Sequence, residues 1–290
     1  MSIRHDLQRS IYHVLKYNRS GSYATQANRQ SILMRFAADL VSVGYGLRDI
    51  CGVKQKHILA VIEFWQQKKL SSSTIKNRTS ALRFLCSKIN KSTVMGSNRQ
   101  LNIAPRLYQA ATNKALHNPD FSRIISPYIK ISLELQRVFG LRREESLKIK
   151  PHAADKGDRL ELMPTWCKGG RGRVIPIRTQ EQRYWLEQAK KIAGKFGNSL
   201  IPENKSYIQQ RCLYDKQTLR AGLRNLHGLR HAYAQQRYKE LTGWEAPING
   251  GMKARDLTPM QKQIDYQARM ILTEELGHSR EQITVNYCGR

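Results

Sequence analysis

Two short segments of the sequence combine residue types that can stabilise a reacting phosphate. RNLHGLRHAYAQ, residues 224–235, places His227 and Arg230 in an apolar, helix-like run, and LGHSREQITVNY, residues 276–287, contains His278 and ends on Tyr287. Arginine binds two phosphate oxygens at once and keeps its charge, whereas histidine can give or take a proton near neutral pH. Together these side chains can neutralise a pentacoordinate phosphorane without a metal ion.

A tyrosine hydroxyl is the candidate nucleophile. Tyr287 lies nine residues after His278, and its neighbours in ITVNYCGR are mostly small or polar, whereas a core tyrosine is usually surrounded by aliphatic residues. Carboxylates are scattered, without a DxD or DxE cluster that suits the two magnesium ions of a nuclease or polymerase. The sequence also lacks the Walker, GxGxxG, HExxH and GxSxG motifs. Protein cations must therefore stabilise any phosphodiester that is attacked.

The charge of the chain indicates a polyanionic partner. Its 290 residues include 50 Lys and Arg against 22 Asp and Glu, which gives a net charge of +28. No apolar stretch approaches the roughly 18 residues of a membrane span, so nucleic acid is favoured over a membrane surface. The five cysteines form no CxxC pair, and a reducing, cytoplasmic setting is expected.

The first hundred residues are predicted to form a helical, DNA-binding domain. Apolar residues recur in steps of three and four through residues 32–41, 58–65 and 75–89, as on one face of an amphipathic helix. Basic residues of the third segment either form a solvated face or bind DNA phosphates, and the candidates are Lys76, Arg78 and Arg83. Periodicity is lost in the segment that follows, and residues 101–115 are the predicted linker.

Residues 116–290 are predicted to form a mixed second domain. Residues 122–149 indicate a helix, a glycine-containing turn and a second helix. Apolar residues flank the basic, glycine-rich turn CKGGRGR, residues 167–173, which predicts a hairpin or a three-stranded sheet. Helices are expected from about residue 180, and Thr258 and Pro259 mark the start of one whose apolar face includes Met260 and Ile271. The fold class is mainly α with a small β-sheet.

The order of these motifs resembles that of the tyrosine recombinases, the phage integrase family. The resemblance covers most of the chain, because SSSTIKNRTSALRFL, residues 71–85, is similar to a helix of the family's core-binding domain. Six residues at matching positions are implied to be catalytic: Arg142 in FGLRREESLKI, Lys168 in CKGGRGRVIP, His227 and Arg230 in HGLRH, His278 in LGHS, and Tyr287 in ITVNY.

The resemblance implies a C-shaped clamp around double-stranded DNA at attachment sites, and a homotetramer on that DNA. Tyr287 is implied to attack the scissile phosphate, giving a 3′-phosphotyrosyl link and a free 5′-hydroxyl. The two arginines hold the non-bridging oxygens, Lys168 protonates the leaving oxygen, His227 assists proton transfer, and His278 hydrogen-bonds the phosphate. No metal or nucleotide cofactor is needed. A cytoplasmic, nucleoid-associated recombinase of a mobile element is expected.

Neighbouring basic residues receive other interpretations. Arg142 is preferred to Arg143 because it directly follows Gly-Leu, as in the family. His231 is expected to be structural, since adjacent helical residues face different directions. Arg171 and Arg173 are expected to contact the DNA backbone or to aid solubility.

Two other functions share most of these features. A type IB topoisomerase uses similar chemistry without a specific site, and a catalytically silent relative would keep only DNA binding.

The stretch between Arg230 and His278 is longer than the resemblance leads us to expect. Only three residues follow Tyr287, whereas many recombinases dock a longer tail into a neighbouring subunit. The apolar residues Trp244 and Ile248 make residues 243–255 a candidate subunit contact. The alternative is a loop that packs on its own domain.

Overall fold

The structure, a computed structural model, describes residues 2–106 and 112–290. The chain divides into two compact units, Met1–Leu107 and Tyr108–Arg290, which we call the N-terminal unit and the C-terminal unit. The division falls within the predicted linker, of which residues 107–111 lie outside the described part of the chain. The predicted fold class is confirmed in the described residues, which are mainly helical and include one small sheet.

The described part of the N-terminal unit is helical. Ser22 and Ser71 precede two of its helices and accept the main-chain N–H groups of Thr25 and Thr74, as N-caps do. Val41 and Leu59, which belong to predicted apolar stripes, are 38% and 42% exposed, while the remaining stripe residues face the core. The helices are α1 (Ile3–Tyr17), α2 (Tyr23–Ser42), α3 (Gln55–Gln67) and α4 (Ser72–Lys88), with 3₁₀ turns at Ile50–Gly52 and Ser92–Val94.

The C-terminal unit surrounds its own core, in which the helix Pro127–Phe139 packs against the helices Gln180–Ala193 and Gly228–Thr242. Among all described residues, no helix is long and apolar enough to cross a membrane. The helices of this unit are α5 (Pro127–Phe139), α6 (Arg143–Lys148), α7 (Pro151–Ala154), α8 (Gln180–Ala193), α9 (Tyr207–Arg220), α10 (Gly228–Thr242), α11 (Pro259–Glu275) and α12 (Val285–Cys288).

The predicted basic hairpin is a two-stranded antiparallel sheet. Strands β1 (Arg159–Leu162) and β2 (Arg173–Pro176) pair with Leu160 opposite Ile175. Because side chains alternate along a strand, β2 buries Arg173 together with Ile175 and exposes Val174. The alternation therefore turns one arginine of the basic segment into the protein interior.

The buried face of α11 differs from the predicted one. Ala268 and Leu272 of the predicted apolar face are buried in the core, but Met260 is 75% exposed and Ile271 is 38% exposed. A charged pair shares the buried side with the two buried apolar residues: Arg269 Nε donates to both carboxylate oxygens of Asp265, at 2.9 and 3.0 Å. The hydroxyl of Tyr238 on α10 also donates to Asp265. A hydrogen-bonded polar cluster thus lies beside the apolar packing on the buried side of this helix.

The long loop between α10 and α11 packs on its own unit. Ala246 is fully buried, and Trp244 and Ile248 lie against the core. A Cβ atom on Gly289 would lie 2.9 Å from the main-chain nitrogen of Ile248, so the loop touches the chain that follows Tyr287. These contacts favour the self-packed loop over a free subunit contact.

Candidate active site

Five of the six predicted catalytic residues meet at one place in the C-terminal unit. Arg142 directly precedes α6, His227 and Arg230 lie at the start of α10, His278 follows α11, and Tyr287 belongs to α12. Helix α10 packs against both α11 and α12. The packing of these three helices therefore brings together groups that are far apart in the sequence.

A glycine turn places the two arginines. Gly140 ends α5 with a φ of 61°, a conformation that glycine adopts without strain. A Cβ atom there would also lie 2.5 Å from the ring of Tyr233. The carbonyl of Gly140 accepts a hydrogen bond from Arg230 Nη1 at 2.6 Å, and Arg142 follows two residues later. The same short turn thus binds Arg230 through its carbonyl and leads directly to Arg142.

The two arginines also share an acceptor, the main-chain carbonyl of Leu276. Arg142 Nη2 donates to it at 3.2 Å, and Arg230 Nη2 donates to it as well. Arg230 is 1% exposed, and burial lowers the pKa of its guanidinium to about 10, so it remains a cation at neutral pH. The side chain of Arg142 keeps 23% of its surface exposed. The pair therefore consists of one buried cation and one that solvent can reach.

Arg173 occupies a different position from the one expected for a DNA contact. Its side chain is 4% exposed, and Nη1 and Nη2 donate to the two oxygens of Glu145 at 2.9 and 2.7 Å. Glu145 also accepts the main-chain N–H and the Nη1 of Arg142, both at 2.7 Å. The prediction for Arg173 is corrected on this ground. Its guanidinium is occupied inside the protein, where it holds the carboxylate that orients Arg142.

Glu145 is ionised in this environment. Burial alone raises the pKa of its carboxyl group, but the hydrogen bonds and charge of Arg173 oppose burial. The nearby charges of Arg142 and Arg230 act in the same direction, and the resulting pKa is about 2. The carboxylate is thus a permanent acceptor that fixes two guanidinium groups.

Tyr287 lies against the histidines. Its hydroxyl is 3.4 Å from Nε2 of His278, and the two rings stack with centroids 5.4 Å apart. Arg230 Nη2 lies 3.3 Å from the same nitrogen, and its guanidinium carbon is 5.9 Å from the centre of the tyrosine ring. Tyr287 itself is 6% exposed. A phenol, an imidazole and a buried cation are therefore in mutual contact.

The surroundings of His278 and His227 disfavour the protonated form of each ring. Burial lowers the pKa of His278 to about 3, and the charges of Arg230 and Arg142 contribute to the shift. Loss of solvation likewise lowers the pKa of His227, again with help from these arginines. A neutral imidazole has one N–H donor and one acceptor nitrogen, so these side chains can hydrogen-bond both the phenol and a phosphate oxygen. Within residues 2–106 and 112–290, no group of three or more His, Cys, Asp or Glu residues could hold a metal ion.

His231 also belongs to this cluster, whereas the sequence analysis assigned it only a structural role. Its ring centroid lies 4.6 Å from that of Tyr287 and 5.4 Å from that of His227. It is 7% exposed, and burial lowers its pKa to about 4. The signal was the four-residue spacing from His227, because residues i and i+4 lie on the same face of a helix.

The remaining predicted residues of the C-terminal unit lie on its surface. Lys168 and Arg171 are exposed in the hairpin turn, and neither side chain has a hydrogen bond or ion pair with a described residue. Arg143, which is half-exposed, pairs with Asp215 at 2.6 Å. The structure thus separates Arg143 from Arg142 and leaves Lys168 outside the cluster of five.

Two of the three predicted DNA-binding residues of the N-terminal unit are engaged internally. Arg78 pairs with Asp39 at 3.4 Å and lies over the ring of Trp65 at 4.9 Å. Arg83 Nη2 donates to the carbonyl of Gly96 at 2.8 Å and to the side chain of Asn98 at 2.9 Å, so it holds the segment after α4. Lys76 is half-buried, and its ammonium group has no partner in the described part of the chain.

Two family models match the chain. The model for the N-terminal part of phage integrases matches residues 5–94, and the integrase model matches residues 93–236. Together they span well over half of the sequence. The chain therefore belongs to the phage integrase family of tyrosine recombinases and is a site-specific DNA recombinase. His278 and Tyr287 lie beyond the matched residues, so their assignment rests on their geometry and on the LGHS and ITVNY motifs.

Solved structures of recombinases share the fold. The XerH site-specific recombinase in a post-cleavage complex with palindromic difH substrate aligns with a TM-score of 0.58 and 16% identity, over 97% of this chain and 80% of that one. The Tn1549 transposon integrase in complex with circular intermediate DNA aligns with a TM-score of 0.50 and 14% identity, over 100% and 96%. At these identities the likeness concerns the fold alone. No curated protein sequence matches the chain significantly.

Proposed function

We propose that the protein breaks and rejoins DNA strands through a covalent bond between Tyr287 and a 3′-phosphate. The observation that carries this proposal is the contact of the Tyr287 hydroxyl with His278, beside the buried cation Arg230. Among the described residues, the carboxylate that pairs with Arg142 is that of Glu145, which is fully buried and held by Arg173. The cluster thus offers a nucleophile and positive charge without a carboxylate pair.

In the proposed reaction the phenol oxygen of Tyr287 forms a bond to phosphorus while the bond from phosphorus to the 5′-oxygen breaks. His227, whose ring centroid lies 6.1 Å from that of Tyr287, is the proposed acceptor of the phenol proton. His278 keeps one N–H group in its neutral form and is the proposed hydrogen-bond donor to a phosphate oxygen. We assign Lys168 the proton that completes the 5′-hydroxyl, because its ammonium group is exposed and unpaired with any described residue.

Arg142 and Arg230 are the proposed ligands of the non-bridging oxygens. Negative charge grows on these oxygens during attack, and fixed cations stabilise it without having to reorganise. Both guanidinium groups already have fixed positions, through Glu145, Gly140 and Leu276. Tyr287 is almost fully buried in the free chain, so its hydroxyl must become accessible before it can reach phosphorus.

Double-stranded DNA is the proposed partner. The net charge of +28 suits a polyanion. The XerH structure is a complex with its difH substrate, and the Tn1549 structure is a complex with circular intermediate DNA. By analogy with the transposon integrase, we propose that this recombinase moves a mobile element, acts as a homotetramer on attachment sites, and works in the cytoplasm where the DNA is.

Replacing Tyr287 with phenylalanine tests the proposal. Tyr287→Phe removes the nucleophile but few DNA contacts, so we expect no covalent adduct with a nicked suicide substrate and nearly unchanged DNA affinity. Tyr266→Phe, on the exposed side of α11, is the matched control and should form the adduct like the parent. The measurement is the protein–DNA band that survives denaturation. An adduct with Tyr287→Phe would show that another residue is the nucleophile.

A further inference from the structure

Glu275, the last residue of α11, carries its carboxyl group into the protein interior. Its side chain is 4% exposed. Oε2 accepts the hydroxyl of Tyr233 at 2.8 Å, and Oε1 accepts Nη2 and Nε of Arg237 at 3.0 and 3.1 Å. Arg178 Nη1 lies 3.5 Å from Oε1. Charge-assisted bonds of this kind are the strongest polar contacts in a protein interior, and they fix Glu275 from three sides.

The main chain at Glu275 supports the arginines of the active site. Its carbonyl accepts Nε of Arg173 at 2.7 Å, and Arg173 in turn holds Glu145. The next carbonyl, that of Leu276, accepts hydrogen bonds from both Arg142 and Arg230. Two successive carbonyls at the end of α11 therefore bind three guanidinium groups, in addition to the contacts these groups make with Glu145 and Gly140.

His278 depends on the same segment. Its main-chain N–H donates to the carbonyl of Thr273 at 2.8 Å, and Glu275 lies in the turn that this hydrogen bond closes. Gly277, with a φ of 62°, makes the turn between them, and a Cβ atom there would lie 2.9 Å from Cδ of Arg173. A shift of Glu275 would thus move the imidazole as well as the arginines.

We propose that Glu275 is a positioning residue for strand cleavage. Its carboxylate is clamped by Tyr233 and Arg237, and this clamp fixes the end of α11 so that Arg142, Arg230 and His278 meet the scissile phosphate in one arrangement. The proposal rests on the proposed function of the cluster. Neither Glu275 nor its clamp touches Tyr287 through any contact found among the described residues, so the effect is indirect.

Glu240 provides a matched control within the same network. It binds the outer side of the same two arginines, with Oε2 3.2 Å from Nη1 of Arg237 and 3.5 Å from Nε of Arg178. Its side chain is 34% exposed, and it lies within α10 rather than at the end of α11. Glu240→Gln therefore removes a carboxylate from these arginines without disturbing the carbonyls that orient the active site.

The experiment compares Glu275→Gln with Glu240→Gln in three measurements: the single-turnover rate of adduct formation, DNA affinity, and the ring resonances of His278 in the free protein. Small misplacement of catalytic groups costs about 10- to 100-fold in rate. We expect a loss of this size for Glu275→Gln, with DNA affinity close to that of the parent and shifted His278 resonances. Glu240→Gln should match the parent in all three.

A double-mutant comparison separates positioning from plain stabilisation. If Glu275 acts through the arginines, Glu275→Gln should cost much less in an Arg142→Ala background than in the parent, because the two changes share one effect. Independent losses that multiply would overturn the proposal. So would a Glu275→Gln variant that melts at a lower temperature but cleaves DNA and shows His278 resonances like the parent.

Two further outcomes remain decisive. If Glu275→Gln fails to fold, Tyr233→Phe removes a single hydroxyl from the clamp and should show the same pattern more weakly. If the parent protein forms no Tyr287-dependent adduct, the proposed function fails. The His278 resonances then still test Glu275, since unchanged resonances in Glu275→Gln would refute positioning without any cleavage.

Discussion

Replacing Arg173 with methionine tests whether this basic residue serves the interior or the DNA. Arg173→Met keeps much of the side-chain volume but leaves Glu145 without its bidentate partner. Arg171→Met, two residues earlier in the same hairpin turn, is the matched control, because Arg171 is exposed and has no partner among the described residues. Arg173→Met should lower stability and leave the salt dependence of DNA binding unchanged. Arg171→Met should leave stability unchanged and reduce the salt dependence.

The expected loss of stability follows from the surroundings of Glu145. Its pKa is about 2 in place of the ordinary 4.5, which corresponds to roughly 3 kcal/mol at 1.36 kcal/mol per pKa unit. Removing one partner of a buried pair costs about 3–5 kcal/mol, and since Arg142 remains on Glu145 we take the lower value. For a unit of this size, about 2–4 °C of melting temperature per kcal/mol gives a decrease of roughly 6–12 °C.

The sign of the pH dependence is a second expectation. Because folding lowers the pKa of Glu145, its contribution to stability is complete above the ordinary pKa of 4.5 and is lost as the pH falls toward about 2. The difference in melting temperature between parent and Arg173→Met should therefore shrink as the pH is lowered through this range, because protonation neutralises the unpaired carboxylate.

Thermal unfolding and salt titrations of DNA binding are the assays. For roughly six to ten neutralised phosphates, the parent should show a log–log slope of about −5 to −9, and loss of one contact should reduce its magnitude by about 0.9. Arg171→Met should show that smaller slope at parental stability, whereas Arg173→Met should keep the parental slope. An Arg173→Met variant with the parental melting temperature and a reduced slope would refute the buried role.

Three other predictions follow from the cluster and the loop. Arg142→Ala and Arg230→Ala should each slow cleavage by on the order of 10²–10³-fold. Arg143→Ala loses only a surface ion pair and should cleave at nearly the parental rate. Equal losses for the Arg142 and Arg143 variants would contradict the assignment of Arg142. In the free protein His278 should stay neutral down to about pH 4, since its pKa is about 3, and a nuclear magnetic resonance titration midpoint near the ordinary value would contradict its burial. Shortening residues 243–255 should lower the melting temperature, because Trp244 packs on the core; a shortened variant that keeps its stability but loses synapsis would restore the subunit-contact hypothesis.

Much of the helical framework could be predicted because local signals agree with the final packing. Ser22 and Ser71 mark helix starts, and the apolar stripes that follow them face the core. The glycine-rich turn between β1 and β2 likewise predicted a hairpin. The motif order placed Arg142, His227, Arg230, His278 and Tyr287 in one site, and in the structure these five residues lie together.

The missed features depend on partners that are distant in the sequence. The sequence around Arg173 does not indicate that the side chain binds Glu145 and the carbonyl of Glu275. Its spacing of two residues from Ile175 on a half-buried strand did indicate that both side chains point to the same face. Similarly, the interior side of α11 holds Asp265 and Arg269 because Tyr238 on α10 faces them. A pattern search for apolar residues cannot detect a buried polar group that its tertiary neighbours satisfy.

The shared acceptor at Leu276 has an electrostatic consequence. Leu276 caps the C-terminal end of the 17-residue helix α11, where unpaired carbonyls carry the negative end of the helix dipole, equivalent to roughly half an elementary charge. This partial charge acts together with Glu145, which pairs with Arg142, to hold Arg142 and Arg230 side by side against their mutual repulsion. A second carboxylate in place of the carbonyl would cancel a further full charge, whereas the neutral carbonyl leaves Arg142, Arg173 and Arg230 in excess over Glu145. The free enzyme can therefore keep two like charges together and still present a positive potential to an approaching phosphate.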